Sequence, residues 1–361
     1  MVDMILSRFC SGYLAFALLL ATGQAYAADR VQVISTPGKG QVPDAEVDRE
    51  GILHIAYVAG KDAWYVRSSD EGKTFSVPLR INSDTGTVHP PNMFRGPDLA
   101  LGRDGRVHVI WYVSAYQRKL PQDQWGVFYS SLDAGKSEFV PNRNLNHKPS
   151  DNYSLAADEK GNVAVVWMAG KLVVSYSEDN GITFKDLAVP IADPCECCGS
   201  RALFSADSLL SIAYREKANN IRDMHLLRKE RNSSTFKRQK ISGTPWQVNG
   251  CPMTGVFLSD AKSGPLIAWE TKGAVSYARL QAADTLSAPR EVKAAPKGKW
   301  PIALAAADGT ILVSWKSGNT IFWQLRDSSD KPMGEIESKP SANPHRHAAV
   351  VTKAQNFLII D

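Results

Sequence analysis

The chain has 361 residues, with 42 Lys and Arg against 37 Asp and Glu and a formal net charge of +5. That balance, with the basic residues scattered, argues against a nucleic-acid partner, and no segment beyond the N-terminal leader has the length and apolarity of a membrane-spanning helix. The length is sufficient for a large core in one or two domains.

In chain order, residues 1–27 read as a signal peptide rather than as part of the fold. Arg8 precedes an apolar run over residues 13–21, and Ala25-Tyr26-Ala27 supplies the small-x-small cleavage pattern. Cys10 lies before that run, so no lipid-anchor motif follows it. The expected product begins at Ala28 and is exported, either periplasmic or secreted. It keeps four cysteines, and an oxidising compartment makes disulfides their default state.

From residue 28 to 361 one pattern recurs: a short apolar strand, a Gly-containing turn, an apolar strand, then an aromatic-rich strand. It starts near Ala45, Pro97, Tyr153, Arg201, Thr254, Pro301 and His347, a spacing of roughly 45 to 56 residues. Short β-branched and aromatic runs broken by Asp-Gly, Glu-Gly and Lys-Gly turns predict an all-β fold, a single-domain β-propeller of four-stranded blades. Six repeats are complete. The seventh stops after two strands at Asp361, and a spare strand over residues 30–36 can close it. Seven blades are favoured, with six as the alternative, and closure by both termini hides sheet edges. The basic stretch over residues 228–240 alternates with polar residues and reads as a solvated hairpin.

Two turns between third and fourth strands share the pattern Ser-x-Asp-x-Gly-x-Thr-Phe: Ser68, Asp70 and Gly72 in one, Ser177, Asp179 and Gly181 in the other. A looser copy starts at Ser131. Ser and Asp can accept backbone N–H bonds within such a turn, and Gly can take positive φ. These turns resemble the Asp-box (BNR) repeat of the sialidase (neuraminidase) superfamily, which implies a sialidase-like propeller in which the boxes themselves are structural. The chain also resembles a subgroup of secreted bacterial sialidase-like proteins that carry a Cys-x-Cys-Cys segment.

If each blade begins with its innermost strand at the top face, the blade-entry loops and the second-to-third-strand loops gather there, and the Asp-box turns lie underneath. The top loops carry His89, Arg95, Asp123, Asp151, Tyr153, Arg201, Tyr214, Arg215, Arg222, Asp223, Trp246, Trp300 and Arg346. An aromatic, arginine-bearing rim suits a carbohydrate or another small acidic ligand; the plain alternative is that each arginine pairs with a neighbouring carboxylate. The resemblance adds roles. "FRGP" (Phe94 to Pro97) is similar to the family's Phe-Arg-Ile-Pro motif, with Gly96 in the Ile position, which makes Arg95 one member of a carboxylate-clamping triad that Arg201 and Arg346 would complete. It also makes Asp123 the candidate acid/base. The family's tyrosine nucleophile has no counterpart in the last repeat, "PHRHAAV"; Tyr153 and Tyr214 lie on the top face away from the family position, and Tyr214 is the candidate nucleophile. Arg215, Arg222, Asp223 and Trp246 are candidate substrate-binding residues.

Three of the four cysteines lie together at Cys195, Cys197 and Cys198, directly before the inner strand of one blade, and Cys251 lies directly before the inner strand of the next. Equivalent positions in adjacent blades are neighbours, so a bond from the cluster to Cys251 is geometrically plausible, with three pairings of the four open. Three functions follow from these features. One is an exo-glycosidase acting on an acidic sugar. The second is a non-catalytic propeller that binds a glycan or a protein. The third is a periplasmic metal-handling protein holding Cu(I) or Zn(II) on the cysteines, with Met253, His345 or His347 nearby. No cofactor is required, and a staple at the rim of the site is favoured over a metal.

Overall fold

Each repeat folds as an antiparallel meander whose first strand faces a common axis. The structure is a computed structural model that describes residues 30–114, 118–190, 193–229, 235–281, 285–293 and 296–361. The expected leader over residues 1–27 lies outside them. Six sheets have four strands in sequential order. Their innermost strands are Gln41–Val47, Asp98–Leu101, Asp151–Ala157, Arg201–Phe204, Val256–Ser259 and Lys299–Ala305. The seventh sheet has three strands: Ala348–Val351 inside, then Phe357–Ile360, then the N-terminal strand Val31–Ile34. That last strand pairs in parallel with Phe357–Ile360, Val31 opposite Phe357 and Ile34 opposite Ile360. Seven blades therefore close a ring through both termini, and the edge that would template aggregation is covered.

Second strands such as Val107–Val113 and Val163–Met168 are buried along their whole length because a neighbouring blade covers each of their faces. Continuous β-branched and aromatic runs suit that position better than alternating ones. One apolar cluster fills every seam between consecutive blades, and the cluster between the seventh and first blades joins Ile34, Ala45, Ile55 and Leu358.

The two Ser-x-Asp-x-Gly-x-Thr-Phe turns have the same hydrogen bonds. Ser68 Oγ donates to Asp70 and accepts the Gly72 N–H at 2.8 Å, while Asp70 accepts the Thr74 N–H at 2.9 Å and hydroxyl at 2.6 Å. Ser177, Asp179, Gly181 and Thr183 repeat this at 2.7 to 2.9 Å, the hydroxyl bond again at 2.6 Å. Gly72 and Gly181 sit at φ of 81° and 80°, where a side chain is strained. Both turns join third to fourth strands, on the face opposite the blade-entry loops.

The inner strands of the first, third and sixth blades begin with a bulge, each followed in register by Asp44, Ser154 and Ile302. The residue two positions earlier, Val42, Asn152 or Trp300, has φ near +50°. A bulge re-aims the side chains around it. It brings the Val42 carbonyl to within 2.3 Å of where a Cβ on Gly96 would stand. Glycine in "FRGP" is thus dictated by packing between the first two blades.

Candidate functional site

The upper ends of the innermost strands enclose a cavity of about 50 Å³ on the propeller axis, to which all seven blades contribute. Asp44, Phe94, Tyr153, Arg201, Phe257, Trp300 and Arg346 line it. The ring places residues about fifty positions apart in sequence at one point.

Arg201 sends Nη1 to both oxygens of Asp44 at 3.3 Å and lies 3.8 Å from Asp98. Arg346 donates to Asp98 Oδ1 at 2.6 Å and to the Pro97 carbonyl at 3.3 Å. Arg95 makes a two-pronged contact with Asp151, at 2.7 and 2.5 Å. Its guanidinium lies 5.0 Å from the Phe94 ring centre, and that of Arg201 lies 5.0 Å from Phe257. Arg201 and Arg346 thus meet at the axial cavity and Arg95 lies outside its lining against Phe94, each of the three already facing a protein carboxylate from another blade. One buried donor in this set, Arg346 Nε, has no partner.

Burial works against the charges here. It raises the pKa of Asp98, opposed by Arg346 and reinforced by Asp44. For Arg201, burial alone favours the neutral form, but Asp44 and Asp98 outweigh it and hold the guanidinium charged. Burial also pushes the Tyr153 phenol far up, and its hydroxyl donates to the Gly96 carbonyl at 2.8 Å. Tyr153 is therefore a neutral hydroxyl at this site.

Asp123 is exposed in a single 3-10 turn, Gln122–Gln124, between the second and third strands of the second blade. Tyr214 lies in the second strand of the fourth blade and is 0% exposed. Its oxygen accepts from Arg238 Nε at 3.2 Å, and burial pushes its pKa up to about 12. Neither residue lines the axial cavity.

Arg215, Arg222, Asp223 and Trp246 lie beside the cysteines. Arg215 is 0% exposed, donates to the Arg222 carbonyl at 2.8 Å and the Glu270 carbonyl at 2.7 Å, and lies 5.0 Å from the Trp246 ring centre. Asp223 pairs with Lys240 at 2.6 Å. Cys197 and Cys251 form a disulfide across adjacent blade entries, with Cα atoms 6.4 Å apart. Cys195 and Cys198 are buried free thiols whose sulfurs are 3.2 Å apart.

Asp44 and Asp98 complete the axial site, and sequence reasoning passed over both. Each follows a proline at the start of an inner strand, Pro43-Asp44 and Pro97-Asp98, so the same dipeptide at the same repeat phase was the available signal. A larger groove, about 950 Å³, opens on the underside between the first two blades, lined by Glu46, Asp48, His54, Arg67, Arg103 and Asp133 among others. There burial, with a smaller contribution from Asp44, raises the Glu46 pKa to about 7 against the Leu101 N–H bond. The looser turn copy that starts at Ser131 borders this groove through Asp133 and Gly135, but no motif spans it, because it is a gap between blades.

No protein-family model matches this chain, and no curated protein matches it. Among solved structures, it is similar to an ulvan lyase described as a new polysaccharide lyase family (TM-score 0.56, 11% identity, 86% of this chain and 87% of that one). A virginiamycin B lyase from Staphylococcus aureus follows the same path (TM-score 0.52, 13% identity, 90% and 96%). So does a Hadza microbial sialidase (TM-score 0.51, 13% identity, 77% and 64%). The fold is that of the sialidase-like and polysaccharide-lyase propellers. At these identities the likeness is one of architecture, since such propellers host unrelated chemistries.

Proposed function

We propose that this chain is an exported, sialidase-like propeller that binds an acidic carbohydrate on its top face, over the mouth of the axial cavity. The observation that carries the reading is the gathering of Arg201 and Arg346 with Phe94, Tyr153, Phe257 and Trp300 at one end of the axis, with Arg95 against the outer side of this set, 5.0 Å from the Phe94 ring centre. Arginines supply planar donors for carboxylates, and aromatic faces supply the apolar side of a sugar site. A cavity of about 50 Å³ has the volume of one or two waters, far below that of a pocket for a whole ligand. A pyranose ring therefore rests across the mouth while a carboxylate or hydroxyl dips toward Arg346 Nε. The aspartates hold the guanidiniums in place before a ligand arrives. The similar ulvan lyase has been solved bound to -[GlcA(1-4)Rha3S]-, an acid-bearing repeat, which supports this ligand class by analogy of fold.

The test is a panel of sialylated, uronate-bearing and neutral oligosaccharides, with binding and product formation measured together. We expect binding to acid-bearing members, weakened tenfold or more in Arg346→Met and Trp300→Ala, without new products. Turnover lost in Asp123→Ala or Tyr214→Phe would move the protein to the glycosidases. Failure to bind any acidic member would sink the reading.

A further inference from the structure

The four sulfurs of Cys195, Cys197, Cys198 and Cys251 all lie within 4.8 Å of one another. Cys195 and Cys198 are 3.2 Å apart, and Cys195 and Cys197 are 3.8 Å apart. A tetrahedral site with metal–sulfur bonds of about 2.3 Å has corners about 3.8 Å apart. Backbone amides already point at this cluster: the Met253 N–H lies 3.4 Å from the Cys251 sulfur.

The second observation is independent of the sulfurs. Arg215 is 0% exposed and Arg222 is 6% exposed, yet among the described residues neither has a carboxylate within ion-pair distance. Glu270 and Asp223 act on Arg215 only from beyond ion-pair distance, Asp223 being paired with Lys240 and the Glu270 carboxylate accepting the Gly273 N–H. Arg215 Nε and Arg222 Nε and Nη1 are buried without any acceptor. Both guanidiniums interact electrostatically with Cys195, and Arg215 also with Cys198. A buried cation without a counter-charge at contact distance is costly, and a donor without an acceptor adds to the cost. Neutral thiols and disulfides supply no charge to offset them.

We propose that the reduced cluster is a thiolate site for one divalent d¹⁰ cation, Zn²⁺ in the first instance, with Arg215 and Arg222 as its outer-shell counter-charges. Four thiolates around a divalent ion carry −2, which two arginines neutralise. Their unpartnered N–H groups become donors to the sulfurs, as outer-shell groups at metal sites do. The Cys197–Cys251 disulfide is the oxidised, closed form of the same site. Opening it takes a dithiol reductant: the dithiol gives up two electrons and two protons and leaves as its own disulfide, and Cys197 and Cys251 become thiols. The ion then displaces four protons, M²⁺ + 4 RSH → [M(SR)₄]²⁻ + 4 H⁺. Cys251 is exposed and Cys197 half-buried, so the bond that gates the site is the one a reductant reaches. None of the four cysteines lines the axial cavity, although Gly199 and Ser200 next to them do, and metal uptake is read without any glycan, so the proposal is decided independently of glycan binding.

The test uses the chain from Ala28, reduced with a dithiol that is then removed under anaerobic conditions. It is titrated with Zn²⁺, Co²⁺ and Cu⁺ separately, with elemental analysis of the desalted product. We expect one Zn²⁺ per chain, thiolate-to-metal charge transfer with tetrahedral bands for Co²⁺, and no binding while the disulfide is intact. Cys195→Ser and Cys198→Ser should abolish it. Arg222→Gln should keep four titratable thiols and a native circular dichroism spectrum while weakening Zn²⁺ affinity ten- to a hundredfold. Four reactive thiols with no metal uptake would overturn the proposal. So would Cu⁺ taken up at more than one ion per chain in place of Zn²⁺. Unchanged affinity in Arg222→Gln would overturn the role given to the arginines.

Discussion

His108 sits in the second strand of the second blade, fully buried, with Nδ1 2.7 Å from the Tyr129 hydroxyl and Nε2 3.3 Å from Asn180 of the third blade. Packing is tight enough that a Cβ on Gly102 would lie 2.3 Å from Nε2. Burial pushes its pKa from 6.5 to about 4, against a smaller upward pull from the Asn180 hydrogen bond. Between those two values the unfolded chain binds a proton that the native state excludes. The contribution is fully present above pH 6.5 and is lost as pH falls toward 4. From pH 7 to 4.5 that loss is ~2 kcal/mol. The measurement is urea unfolding at both pH values for the wild type and His108→Gln, which keeps polar atoms in place without titrating. Glu46, whose raised pKa gives the opposite slope, is present in both proteins and cancels in the comparison. The wild type should lose ~2 kcal/mol more than the variant over this range. Equal losses would refute the assignment of a buried neutral imidazole.

Replacing both Cys197 and Cys251 by serine opens a cross-link spanning 54 residues, and chain entropy sets the expected loss at ~4 kcal/mol, read from the unfolding midpoint. A loss under 1 kcal/mol would mean that the two blades hold their entry loops without the bond. Asp98→Asn leaves Arg346 and Arg201 short of a buried counter-charge and should cost ~3 kcal/mol or more. In a double-mutant cycle, Arg346→Met should then cost much less in the Asp98→Asn background than alone, and additivity would rule out the pair as the cause.

The blade repeat was legible because each strand carries its own pattern and each turn its own residues. The side-chain hydrogen bonds of Ser68 and Asp70 close within their own turn, so a short window contained the information that defines it. Seven blades followed once residues 30–36 were read as the spare strand, and Val31–Ile34 does pair there. The neighbourhood of Cys251 and the Cys195–Cys198 segment was legible through phase alone, because equal positions in adjacent blades are close in any propeller. Which cysteine forms the bond was not, since three lie within four residues and only local backbone direction separates them. Arg215 and Tyr214 show the same limit. Both sit next to top-face loops, yet one lies behind the cysteines and the other between blades, because side chains alternate across a strand and both faces of a blade are covered.

The sequence by itself determined the architecture: short strands, their turns, the number of repeats and the face on which entry loops gather. Apart from the closing pair of Val31–Ile34 with Phe357–Ile360, these depend on contacts within about fifty residues. The tertiary structure decided what the arginines meet. Arg95 finds Asp151, Arg346 finds Asp98 across 248 positions, and Arg201 finds Asp44 across 157. Those pairings are set by ring closure and by the bulges that turn the first residues of the inner strands. Neither leaves a local trace beyond a Pro-Asp repeated at the same phase in two blades.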